Sequence, residues 1–207
     1  AEQAAVRLRR VVENDPEDAR AAYLLGNALG LVGRLDEALT WFQTAFDANP
    51  NHHQAAIKIA KLAASLGKPA DGKPYLLRAL DAAPPSENPA SAQVRSSLYV
   101  QLGVLAGGGG QTDEAAAHFH QALAEWPDNS VAMNNLAWLL ATHPVESRRD
   151  GKQAVALASR ACELTGGGDY SLLGTLAAAY AADNRFDQAL DATRKALALA
   201  QAAKQPT

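Results

Sequence analysis

Apolar residues recur along most of the chain at spacings of three and four, punctuated by glycine and proline. In the clearest stretch Ala22, Leu25, Leu29 and Val32 follow one another at the helical period. Gly33 ends that run, and Ala38, Phe42 and Ala45 begin a second one that stops at Pro50. Such spacing gathers apolar side chains on one face of a helix; a strand would alternate them. Glycine suits the left-handed backbone at a helix end, and proline cannot continue a helix without a clash. The stretch predicts two helices joined by a tight turn.

The same frame recurs. Tyr99, Leu102, Gly103, Ala106, Gly110, Ala115, Phe119, Ala122 and Pro127 repeat it without insertion. Ala56, Ile59, Ala60, Ala63, Gly67, Gly72, Leu76, Ala79 and Pro84 form a weaker copy between them. A fourth holds Met133, Leu136, Ala137, Leu140, Ala154, Ala158 and Ala161, and a fifth Leu173, Leu176, Ala177, Tyr180, Ala189 and Ala196. Gly26 to Ala60 and Gly103 to Ala137 are each 34 residues. Ala60 to Gly103 is 43 and Ala137 to Ala177 is 40, with the extra residues in the Pro-rich 85–95 and around 143–149. Insertions confined to turns are a property of helical repeat arrays.

Ala22, Leu25, Gly26, Leu29, Ala38, Phe42 and Pro50 occupy the positions of the pattern W-x2-L-G-x2-Y, A-x3-F, P, with Trp and Tyr replaced by smaller apolar residues. The chain resembles the tetratricopeptide repeat family over nearly its whole length. Residues 134–142, 150–155 and 176–180 resemble C-terminal arrays of bacterial tetratricopeptide proteins. The resemblance implies an all-α fold, a right-handed α-solenoid of stacked antiparallel hairpins with about eleven helices. The expected organisation is a single domain over 1–207 with repeats at 17–50, 51–84, 94–127, 128–166 and 168–203. Residues 85–93 form an inter-repeat insertion. Residues 1–16 match the second helix of a repeat whose first helix is missing, as in a piece of a longer array or in a natural N-terminal cap.

Within each frame a small residue (Gly26, Ala60, Gly103, Ala137 or Ala177) is expected where the paired helices cross most closely. Gly33, Gly67, Gly110 and Asn184 should end first helices. Second helices should begin near Asp36, Thr112, Asp150 and Asp187, residues that cap or suit a first turn. Pro74 is expected in a first turn, where proline is tolerated. The carboxylates Asp36, Glu37, Asp113, Glu114 and Asp187 recur in register as partners of the helix dipole. The last helix, about 186–203, is apolar on most faces: it is either the end of the array, alanine being small enough to face outward, or a contact with another copy or module.

Hydrophobic residues make up 48% of the chain, much of it alanine, and aromatics only 6%, as suits closely packed helices. A net charge of −3 without a Lys/Arg block argues against nucleic acid. No apolar run is long enough to enter a membrane on its own. The single cysteine, Cys162, excludes an internal disulfide and leaves the compartment open: bacterial cytoplasm, periplasm, or part of a membrane-anchored protein.

The search for chemistry yields no catalytic, metal or cofactor constellation. His118 and His120 are two apart and cannot chelate together on a helix. His52 and His53 open a helix as solvated residues, and His143 has no acidic or thiol neighbour at ligand spacing. Cys162 fits a packed small residue. Residues 107–110 lack the Gly-Lys-Ser/Thr ending of a phosphate loop. The chain is therefore not expected to be an enzyme or to need a cofactor.

Stacked hairpins leave the first helices lining a concave surface. Tyr23, Asn27, Lys58, Lys61, Gln101, Asn134, Asn135 and Trp138 fall on that face and are the candidate groove residues for a protein or peptide partner. Asn pairs with peptide backbone as donor and acceptor, while Tyr and Trp suit binding hot spots. Some tetratricopeptide domains hold a C-terminal carboxylate with Lys and Asn. Asn27, Lys58 and Lys61 match those positions, but Tyr23, Ser97 and Gln101 depart from them, so that specificity is not expected. A protein-interaction scaffold is the expected function. The alternatives are an accessory region of a larger bacterial enzyme, such as a glycosyltransferase or membrane enzyme, and a module that self-assembles through the last helix.

Overall fold

The computed structural model describes residues 1–203, which form eleven α-helices and one short 3-10 helix. They are α1 (Glu2–Asn14), α2 (Ala19–Leu31), α3 (Leu35–Ala48), α4 (His53–Ser65), α5 (Pro69–Ala82), α6 (Pro89–Gly108), α7 (Thr112–Glu125), α8 (Ser130–Thr142), α9 (Gly151–Leu164), α10 (Tyr170–Ala182) and α11 (Phe186–Ala203). The chain divides into two units, Ala1–Gly109 and Gly110–Thr207, and the division falls inside the third frame.

In the first unit α2 packs on α3 and α4 on α5 as antiparallel hairpins, with α1 against α2, α3 against α4, and α6 against both α4 and α5. Leu25, Leu29, Phe46, Ile59, Leu76 and Leu98 are fully buried among them. Each such side chain stabilises the unit by about 1.5–3 kcal/mol relative to exposure. In the second unit α8 pairs with α9 and α10 with α11; α7 packs on α8, and α10 also touches α8 and α9. Its core is largely alanine: Ala137, Ala154, Ala158 and Ala179 are all but inaccessible. Small side chains let these backbones approach closely.

The turns form as the sequence predicts. Gly33, Gly67 and Gly110 have φ of 80°, 75° and 75°, and Asn184 has φ of 59°. The helices preceding Pro50, Pro84 and Pro127 stop two residues before each proline. Caps close several first helices: Asp18 accepts from the Ala21 amide at 2.8 Å, and Asn129 accepts from those of Val131 and Ala132.

Two expectations need correction. Pro69 is the first residue of α5, so Pro74 lies in the helix interior and not in its first turn. The insertion at 85–93 is only partly a linker. Asn88 and Ser91 form a reciprocal capping box around Pro89, which starts α6 early and makes it 20 residues long.

The first-turn carboxylates do more than complement dipoles. Glu37 of α3 binds Arg34 of its own turn and Arg9 of α1, at 3.2 Å. In the second unit Asp113 of α7 ties down the 143–150 connection. Arg148, in the 3-10 helix Glu146–Arg148, pairs with its carboxylate, and His143 Nε2 stands 3.4 Å from it. Sequence spacing gave His143 no acidic neighbour; folding supplies one from another helix. His143 is buried, its Nδ1 accepts from the Val145 amide at 3.1 Å, and Arg149 Nε donates to its carbonyl at 2.8 Å. Asp150 caps α9 through the Gln153 amide.

The Arg148 guanidinium, and secondarily His143, hold the Asp113 carboxyl below its ordinary value of 3.8. A carboxyl acidified on folding contributes stability above its unfolded value and loses that contribution as pH falls through the lower folded value. Acidification from pH 5 to below 3.8 should therefore loosen the second unit. Asp113→Asn should show a shallower loss of urea midpoint across the same window.

Candidate partner-binding site

The first unit carries an open cavity of about 540 Å³ between α2 and α4. Gly26, Asn27, Gly30 and Leu31 line it from α2, and Lys58, Lys61, Leu62 and Ser65 from α4; Phe42 of α3 reaches its floor. Each set falls on one helix face because spacings of three and four return the chain to the same side.

The floor is built from an exchange of volume. Gly26 lacks a side chain where the Phe42 ring packs: a Cβ there would lie 2.7 Å from Cε1. Phe42 in turn meets Tyr23, ring centroids 5.5 Å apart, and Tyr23 meets His52 at 4.5 Å. Gly30, one turn beyond Gly26, is different. A Cβ there would meet nothing within 4 Å, so packing does not demand glycine at that position. Glycine in a helix costs about 1 kcal/mol relative to alanine. The effect of Gly30 is to leave the wall bare and the space open.

The walls carry two kinds of chemistry. Leu31 is 81% exposed and, with Leu62 and the Phe42 edge, offers apolar surface. Lys58 is half-buried and Lys61 exposed, and among the described residues neither ammonium has an ion-pair partner. An apolar cavity with adjacent uncompensated positive charge can take an apolar side chain whose neighbour is acidic.

The structure thus brings Asn27, Lys58 and Lys61 to one cavity. Tyr23 is half-buried and serves its floor through Phe42. Gln101 is half-buried on α6 and does not line this cavity. In the second unit Asn134, Asn135 and Trp138 share α8, where Trp138 is 48% exposed and Asn134 Oδ1 is buried without a hydrogen-bond partner. Gly30, Leu62 and Ser65 escaped sequence analysis. The pair Gly26 and Gly30, four apart in one helix, was the available signal.

His52 and His53 are not fully solvated as the sequence suggested: both are half-buried, and burial, followed by repulsion from His52, pushes the His53 pKa down. Burial likewise raises the pKa of Cys162, which disfavours the reactive thiolate. No group of three or more His, Cys, Asp or Glu among the described residues is arranged to hold a metal, and no described helix is long and apolar enough to cross a membrane.

Comparison with solved structures places the fold. YrrB, described as a TPR protein with an unusual peptide-binding site, superposes with a TM-score of 0.61 at 19% identity, covering 93% of this chain and 91% of that one. MamA matches with a TM-score of 0.64 at 17% identity over 93% and 98% of the two chains. PilF of Pseudomonas aeruginosa matches with a TM-score of 0.71 at 18% identity over 92% and 80%. No curated protein matches by sequence. The profile of the tetratricopeptide repeat matches residues 1–53 and 100–169, more than half of the chain. With its hairpins in the same order and its helix ends at the same frame positions, the chain belongs to the tetratricopeptide repeat family.

Proposed function

We propose that this chain is a non-catalytic scaffold that binds an extended peptide segment of a partner protein, anchored in the α2–α4 cavity of the first unit. Tetratricopeptide proteins generally mediate protein–protein interactions, and the chain carries that fold. The observation that carries the reading is the cavity itself: apolar at its floor, bare at Gly30, and flanked by the unpaired Lys58 and Lys61. The segment it fits has an apolar side chain next to an acidic one. Asn27, which lines the cavity, would bond the peptide backbone, since a side-chain amide both donates and accepts. The peptide-binding site named for YrrB supports a peptide ligand for this fold.

The test is fluorescence anisotropy with a peptide selected from a display library on the intact chain. Lys58→Ala with Lys61→Ala should weaken binding about tenfold, as should added salt, because charge-assisted contacts are lost or screened. Gly30→Leu should abolish binding by filling the cavity while leaving the fold intact, because nothing lies within 4 Å of its Cβ position and Gly30 borders the open space that takes the rest of the side chain. Wild-type affinity in the Gly30→Leu and Lys58→Ala/Lys61→Ala variants, with loss of binding in Trp138→Ala, would move the site to α8 of the second unit. Wild-type affinity in all of them would refute the assignment to either surface.

A further inference from the structure

The last helix leaves an apolar stripe uncovered. Phe186, Leu190 and Leu197 of α11 are 60%, 55% and 57% exposed. At about 100° per residue they fall within some 40° of one another, on the side of the helix away from Ala192, Ala196 and Leu199, which pack inward. Elsewhere in the chain the register positions of Leu190 and Leu197 are covered, whereas that of Phe186 holds Leu35, 37% exposed. Aligned on Ala38, Ala154 and Ala189, Leu197 corresponds to Phe46, which is fully buried, and to Cys162, 8% exposed. Leu190 corresponds to Leu39, half-buried, and to Val155, also 8% exposed. In those repeats the next helices provide the cover. No described element covers this stripe of α11.

We propose that this stripe pairs with the same stripe of a second copy, the two α11 helices running antiparallel about a two-fold axis. The sequence of α11 is self-complementary in that arrangement alone. Antiparallel pairing sets Phe186 opposite Leu197 and Leu190 opposite Thr193, at each end alike. The two-fold keeps matching flanks together, so Asp187 and Arg194, which share one flank of the stripe, come opposite each other twice. Their register is offset by two residues, about 3 Å, within the reach of an arginine. In the single chain Arg194 meets, among the described residues, only Asp191, at 3.4 Å and exposed, so it can turn to the new partner. Parallel pairing about a two-fold would instead set the Asp187 and Arg194 flank against the partner's opposite flank, where Ala189 and Ala200 lie, and would form no such pair.

The test is sedimentation equilibrium of the intact chain over a dilution series up to about 200 µM. The mass should rise from one chain toward two. Leu190→Glu with Leu197→Glu should hold it at one chain with unchanged helicity, both residues being exposed. Asp187→Arg should weaken the dimer about tenfold by juxtaposing like charges, and adding Arg194→Asp to that variant should restore it. A single-chain mass at every concentration would overturn the proposal and assign the stripe to a different occupant. A dimer indifferent to the leucine pair, or one that the charge reversal fails to rescue, would overturn it as well.

Discussion

Phe42→Ala is expected to destabilise the first unit by about 3–5 kcal/mol, the usual range for truncating a buried phenylalanine. Its ring is 4% exposed and fills the hollow left by Gly26, with Tyr23 against it. Truncation removes the ring and leaves a void that Gly26, having no side chain, cannot help to fill. The void also opens into the cavity above. A urea titration followed by circular dichroism should show the earlier midpoint. If the midpoint moves by less than about 1 kcal/mol equivalent, Phe42 is not the support inferred for the cavity floor.

Gly72→Ala should cost about 3 kcal/mol for the opposite reason, too much volume. A Cβ on Gly72 would stand 2.6 Å from the Cα of Ala60 and 3.2 Å from its Cβ. These are backbone and first side-chain atoms and cannot rotate aside, so α4 and α5 must move apart. The same substitution at Gly30 gives the control. Nothing lies within 4 Å there, and alanine favours a helix by about 1 kcal/mol, so Gly30→Ala should raise the midpoint. Two glycine-to-alanine changes in one unit with opposite signs separate packing from backbone entropy. Equal effects would show that the α4–α5 approach is not tight.

Much of this architecture is visible in the order of residues. Gly33 and Asn184 end helices because a left-handed residue is required there, and the amino acids able to supply one are few. Ala60 was expected at a close crossing, and Gly72 is what it meets. The misses are physical in origin. Pro74 was misplaced because the start of α5 is set by Pro69, and apolar periodicity does not register a first turn. The early start of α6 was encoded in the run Asn88, Pro89, Ser91, a cap signature overlooked beside the prolines. The meeting of His143, Arg148 and Asp113 joins residues some thirty apart through tertiary packing, which spacing along a sequence cannot express. For the cavity, polar side chains on the inner face were legible as Asn27, Lys58 and Lys61, but the empty space between them was not. A void is made by what is missing, and only Gly30 records it in the sequence.

The long α6 has a bearing on how such a chain tolerates changes of length. Nine surplus residues held as slack would stretch the four-residue connection seen between α3 and α4 to thirteen, at about 1 kcal/mol of closure entropy. Instead the linker from α5 to α6 is six residues, and the rest is wound into extra turns at the start of the helix, with Arg95 fastened to the Leu80 carbonyl at 3.2 Å. The surplus is stored as stiff rod, and the spacing to the next frame, 34 residues from Gly103 to Ala137, is undisturbed.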